Sequence, residues 1–186
     1  MKKIQKAEGR SERLAEMKRQ RHGLSQPSQG PWWDASLFVA GCMLIGFLGS
    51  YLGGAFKKQP WYDDSPKPRF WPPQWVFPTA WIGNYTFMGL ALWQVWQQRQ
   101  GATVAKPLAI FAIHLLHNFS FIPIVYQLKQ KSVYVLMDTI GLCLGLVTTV
   151  AFARISQAAK WLMLPYLCWL FFTTSIKVFW WRMNLK

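Results

Sequence analysis

Acidic side chains are scarce. The 186-residue chain carries 7 Asp and Glu against 21 Lys and Arg, and beyond Asp34 only Asp63, Asp64 and Asp138 remain. Charged residues of both signs make up 15% of the chain, where soluble domains carry roughly 25%. A soluble globular enzyme lacks its polar surface here, and a disordered regulator is excluded by the 52% hydrophobic content. Cysteine is also sparse. Cys42, Cys143 and Cys168 are odd in number, lie in apolar stretches and have no metal-ligand spacing, which excludes a disulfide scaffold and a thiolate metal centre. No cluster of His, Cys, Asp or Glu forms a metal motif. No carboxylate pair, nucleophile–base arrangement or phosphate loop is present, so no catalytic residue is assigned.

What is abundant is uncharged, aromatic sequence. The mean hydropathy of +0.10 averages a polar tail with an apolar body. Twenty-two uncharged residues lie between Asp34 and Lys57, 29 between Arg69 and Arg99, and 22 between Lys106 and Lys129. Residues 132–153 contain a single charge, Asp138, and residues 161–181 contain one, Lys177. About 20 apolar residues cross about 30 Å of hydrocarbon, and in lipid each crossing must satisfy its own backbone hydrogen bonds. The expected fold is an all-α integral membrane protein with five transmembrane helices, near 34–56, 75–98, 107–127, 132–153 and 161–182. Residues 1–33 read as a basic polar tail and linker, and 34–186 as the membrane domain.

The tail lacks the apolar core of a secretory signal. Its basic residues suit anionic headgroups. They have no interleaved aromatics, so the +14 net charge points to lipid and not to nucleic acid. Basic residues near the membrane are almost balanced between the two faces, so orientation stays open. Trp32, Trp33, Trp180 and Trp181 read as an interfacial belt. Gly49-x-x-x-Gly53 and Gly141-x-x-x-Gly145 permit close helix approach, within the chain or in a homodimer. The connector at 57–74 is the one long loop, and loops of that size serve as lids or binding loops.

Helical spacing gathers candidate residues. Trp81 and Tyr85 share one face; so do Trp169, Thr173 and Lys177, and so do His114, His117, Asn118 and Phe121. If these faces converge beneath the connector, they enclose a pocket with flat aromatic walls and few polar groups, suited to a large planar apolar ligand. Asp138 and Lys177 are charges inside membrane segments. They pair with each other, or Lys177 attracts a ligand carboxylate, or Lys177 reaches to the headgroups. His114 and His117 sit on one helix and cannot sandwich one macrocycle; cross-helix hydrogen bonding is their simpler role.

One stretch is distinctive: Trp61-Tyr62, then Lys67-Pro68, Phe70, Pro72-Pro73, Trp75-Val76-Phe77, Trp81, Tyr85 and Met88-Gly89. A second block follows in Pro165-Tyr166, Trp169, Thr173-Thr174 and Trp181-Arg182-x-Asn184, with a weaker one in Asn118, Pro123 and Asp138. Over about residues 35–186 the chain resembles the TspO/MBR family of translocator and tryptophan-rich sensory proteins. The resemblance implies a five-helix membrane bundle in a bacterial plasma membrane or a eukaryotic organelle membrane. It also implies a tetrapyrrole ligand, protoporphyrin IX or haem, with no required cofactor. The ligand-binding set is then Trp61, Phe70, Trp75, Trp81, Tyr85, Asn118, Phe121, Trp169, Thr173 and Lys177, with Asp138 a structural polar residue. Transport of the ligand and stress-linked tetrapyrrole regulation are the implied roles. Light-dependent porphyrin degradation and sterol or lipid carriage are the alternatives. Departures from the family pattern are Pro78-Thr79 after the Phe, Phe119 and Phe121 in place of Trp, and Lys177-Val178 in place of Asn-Tyr. The last removes the Tyr of the sterol motif and argues against sterol.

Overall fold

A computed structural model of the chain describes residues 31, 33–100 and 102–185. The expectations for the tail at 1–30 and for Trp32 lie outside the described residues. Six helices and no strand occur among those described: α1 (Trp33–Leu52), α2 (Pro60–Asp63), α3 (Val76–Gln97), α4 (Ala105–Leu128), α5 (Lys131–Ala153) and α6 (Gln157–Met183). Five are long and match the five expected spans. The short α2 lies in the connector. Helix α6 starts four residues before the expected 161, because the Ser156 hydroxyl accepts from the Ala159 N–H and caps it.

Four helices, α1, α4, α5 and α6, are long and apolar enough to cross a bilayer by length and composition. Helix α3 is uncharged over its 22 residues, but Asn84, Gln94, Gln97 and three tryptophans lower its hydropathy. The long helices pack as a closed ring in the cyclic order α1, α3, α6, α5, α4. Large apolar side chains such as Leu37, Phe47, Leu116, Leu136 and Phe171 face outward, the reverse of a soluble bundle. The chain is a multi-pass membrane protein.

Small residues set how tightly the ring closes. A Cβ on Gly89 would stand 2.5 Å from Val39 Cα, so α3 lies directly on the α1 backbone. A Cβ on Gly49 would meet the Phe119 carbonyl of α4, and one on Gly53 would meet Ile122 and Pro123. Gly141 faces His117, and Gly145 faces Leu167 and Leu170. Both small-residue pairs are therefore used inside the protomer.

Gly89→Ala should lower stability by about 1–3 kcal/mol, the usual cost of overpacking. Gly41→Ala, where nothing lies within 4 Å of the added Cβ, should be neutral or slightly stabilising because alanine is the better helix former. Thermal unfolding in detergent distinguishes the two.

Candidate functional site

The connector is built on its own backbone before it meets the bundle. Pro60 opens α2, where its missing N–H costs nothing, and the Asp63 carboxylate accepts from the Gln59 N–H at 2.6 Å. The Lys67 ammonium donates to the carbonyls of Tyr62 (2.8 Å) and Asp63 (2.9 Å). It also lies 4.8 Å from the Tyr62 ring centre. Desolvation pulls the Lys67 pKa below the ordinary lysine range, against the pull of Asp63 and Asp64. Burial pushes the Tyr62 phenol well above its ordinary value, so it stays a neutral hydroxyl at physiological pH.

Trp180 joins this connector to the ring. It is fully buried, not interfacial as expected. The reason is register: Thr173, Lys177, Trp180 and Asn184 fall on one face of α6, and that face points inward. Its indole N–H donates to Ser65 Oγ at 2.8 Å. The ring lies 5.5 Å from Tyr62, 5.9 Å from Tyr134, 6.1 Å from Trp71 and 6.3 Å from Trp61. One turn on, the Asn184 amide donates to the Pro66 carbonyl at 3.0 Å and accepts from Lys131 at 3.0 Å.

Beneath this cluster Lys177 donates to Asp138 at 2.8 Å, with side chains 5% and 2% exposed. Of the alternatives open from sequence, pairing is the one formed. The ammonium also lies 4.2 Å from the Tyr134 ring centre and 5.2 Å from that of Phe121, so aromatic faces share its charge. Deeper still, Tyr166 is a polar hub in an apolar core. Its hydroxyl is 2.8 Å from His114 Nε2 and 3.3 Å from the Asn118 amide, and Thr148 Oγ1 is 3.1 Å from His114 Nδ1. Both ring nitrogens of His114 are thus engaged in cross-helix hydrogen bonds. Among the described residues, no three His, Cys, Asp or Glu side chains gather as a metal site.

The candidate residues divide into separate groups. Trp61, Phe121, Lys177 and Asp138 meet at the connector end, and Thr173 packs beside them, donating to the Leu170 carbonyl at 3.2 Å. Trp81 lies 5.5 Å from Tyr85 and 6.2 Å from Tyr166, next to Asn118. Trp169 instead meets Phe77 edge-on at 5.9 Å and Phe172 at 5.7 Å, and it lines a groove between α3 and α6. Phe70 and Trp75 are exposed at the rim, with Phe70 edge-on to Phe179 at 5.6 Å.

A larger cavity of about 770 Å³ lies against the connector, between the ends of α1 and α4 and the start of α3. Its walls include Tyr62, Trp71, Phe77 and Tyr126, and Lys57, Lys58 and Lys67 line it. Asp63 also lines it, and Asp64 pairs with Lys58 at 3.2 Å, which leaves an excess of positive charge. Sequence reasoning did not select these wall residues. The available signal was the Lys57-Lys58 pair at the start of a long connector already rich in aromatics. Tyr166 was also passed over, although it sits three residues before Trp169.

Ring-packed membrane helices with an aromatic connector docked at one end define a polytopic membrane protein with a half-open cavity lined by connector rings and lysines. The sequence comparisons narrow that class: residues 38–182 match the TspO/MBR family, and the chain belongs to it. The human translocator protein is 32% identical over 160 residues, covering 83% of this chain and 92% of the human protein. The tryptophan-rich protein TspO of Chlorobaculum tepidum is 32% identical over 149 residues, 76% of this chain and 89% of the relative. The tryptophan-rich sensory protein of Cereibacter sphaeroides is 31% identical over 147 residues, 79% and 89% respectively.

Two substitutions test the joints of this end of the molecule. Asp138→Asn should cost about 3 kcal/mol or more by leaving a buried ammonium unpaired, while Asp138→Leu with Lys177→Met should restore most of the loss; unfolding midpoints in detergent compare them. Trp180→Phe keeps the ring but drops the N–H to Ser65, at a cost of about 1 kcal/mol. Limited proteolysis should then cut the 57–75 connector faster, with no change in the 129–130 turn.

Proposed function

We propose that the chain binds tetrapyrroles, protoporphyrin IX or haem, in the cavity formed by the connector and the adjoining helix ends, and that it moves or senses them there. The observation that carries this reading is the cavity itself. Its volume of about 770 Å³ lies within the roughly 300–1,000 Å³ typical of small-molecule sites. Phe56, Tyr62, Trp71, Phe77 and Tyr126 contribute flat rings to the walls, which suit a macrocycle. The lysines stand where α1 ends, at the depth of the headgroups, and suit its carboxylates. A tetrapyrrole seated this way keeps its acids near water and its ring against Trp71, Phe77 and Tyr126. With both His114 nitrogens engaged, haem binds in this reading through its ring and carboxylates. Trp169 acts from behind Phe77. Trp81 and Tyr85 support the pocket through Tyr166 and α1.

Protoporphyrin should quench the tryptophan fluorescence of the protein in detergent. Lys57→Gln with Lys58→Gln should weaken half-maximal quenching by about two- to fivefold, the range for exposed charge pairs, and Trp71→Leu should weaken it further. Unchanged affinity in both variants removes this cavity as the site.

A second reading, light-dependent degradation, is favoured by one feature. Trp71 lines the cavity and its ring lies 6.1 Å from Trp180, which lies 6.3 Å from Trp61. Such a chain of indoles suits donation of an electron from Trp71 to an excited pigment, which is reduced while the hole left on Trp71 passes to Trp180. Illumination of the complex separates the readings: a new product spectrum that depends on Trp71 supports chemistry, and unchanged pigment supports binding alone.

A further inference from the structure

Three lysines line the connector cavity, and they are not equivalent. Lys67 is committed to the connector itself. An ammonium has three donors, and the carbonyls of Tyr62, Asp63 and Ser65 take them at 2.8, 2.9 and 3.4 Å. Lys58 is paired with Asp64 at 3.2 Å. Among the described residues, the Lys57 ammonium has no partner. The cavity thus presents one open cation, one held by a carboxylate, and one that is closed to a ligand.

The backbone fixes this division. Lys57 ends a tight turn after α1: its N–H donates to the Gly54 carbonyl at 3.0 Å, with Gly54 in the left-handed region at φ 76°. Asp64 closes α2, and its N–H donates to the Pro60 carbonyl at 3.1 Å. Lys58 and Asp64 therefore stand on either side of one helical turn. Their side chains are 71% and 60% exposed, so a carboxylate released from this pair stays in water and loses no hydration. A carboxylate brought by a ligand displaces it at little cost. Asp63 does not take part in such an exchange, because its carboxylate holds the Gln59 N–H at 2.6 Å and so belongs to α2.

We propose that Lys57 and Lys58 hold the two carboxylates of one planar ligand, Lys57 directly and Lys58 by exchanging its ion pair with Asp64 for one with the ligand. This rests on the tetrapyrrole reading of the cavity. It narrows the ligand class to flat molecules with two acids on one edge. It also makes Asp64 a positioning residue, one that sets affinity by competing with the ligand for Lys58.

The test follows quenching of tryptophan fluorescence by protoporphyrin IX in the full chain in detergent. Asp64→Asn frees Lys58 and is expected to tighten half-maximal quenching by about two- to fivefold, the range for an exposed ion pair. A gain of affinity cannot come from partial unfolding. In a Lys58→Gln background Asp64→Asn is expected to give no gain, whereas a general loss of negative charge near the cavity gives the gain in both backgrounds. Protoporphyrin IX dimethyl ester, with the same ring and no acids, is expected to bind the unaltered and the Asp64→Asn proteins alike. If Lys57→Gln with Lys58→Gln leaves protoporphyrin quenching unchanged, the cavity is not the site and both readings fall. If the lysine changes weaken quenching but Asp64→Asn does not tighten it, or tightens it equally without Lys58 or with the ester, the ion-pair exchange alone is overturned.

Discussion

Burial of the Trp180 indole is the interaction on which the connector end of this protein depends. A tryptophan at a membrane boundary gains by keeping its N–H wet and its ring in lipid. Trp180 gives up the water, and Ser65 of the connector replaces it. The ring then becomes the surface on which Trp61, Tyr62, Trp71 and Tyr134 pack. Beyond that plate the connector is held to the ring by the Asn184 amide on the Pro66 carbonyl and by ring contacts such as Phe70–Phe179, Trp61–Tyr126 and Tyr62–Tyr134. Its contacts with the helices are edge-on and tilted rings and single hydrogen bonds.

The Lys177–Asp138 pair sets the depth at which that aromatic layer ends. Two charges in hydrocarbon are tolerated when each is neutralised and hydrogen-bonded. Antiparallel α5 and α6 bring them level because each lies a similar distance from the connector side. Below them the core is largely apolar, with the Tyr166, His114, Asn118 and Thr148 hub at its centre and Asn84, Gln97 and Thr149 also buried. The interior is thus layered: an aromatic plate, an ion pair, and a hydrogen-bonded hub within a packed core. The ion pair pins α5 to α6, and the hub pins α4, α5 and α6 in register, a constraint that apolar packing alone does not supply in lipid. The groove between α3 and α6 lies outside these layers, where neither helix offers a partner to Asn84 or Trp169.

Family membership fits this layering at the residues that build it. The blocks that mark the TspO/MBR resemblance, Trp61 to Trp75 and Pro165 to Asn184, are the connector and the helix that clamps it. The chain's own departures fall in two places. Lys177 takes part in the ion pair, so it supplies an interior charge that binds helices together. Val178 is half-buried on the same helix and offers no polar group there.

Chain composition alone determined the number of helices and their place in a membrane, because backbone polar groups in lipid leave a helix no alternative and because charge is expensive there at every position. It also placed Asp138 and Lys177 at matching depth, since helix rise is constant and the connections are short. What tertiary structure decided was direction. Period 3.6 groups Trp81 with Tyr85 and Trp169 with Thr173, but it does not say which helix each group faces. That depends on the ring order α1, α3, α6, α5, α4, in which glycines let α1 lie directly on the backbones of α3 and α4. Hence Trp180 turned inward, Trp169 toward a lipid-facing groove, and the main cavity acquired lysines and rings from three different segments. Aromatic side chains are equally at home in a core, at an interface and against lipid, so their identity carries almost no information about which of these they occupy.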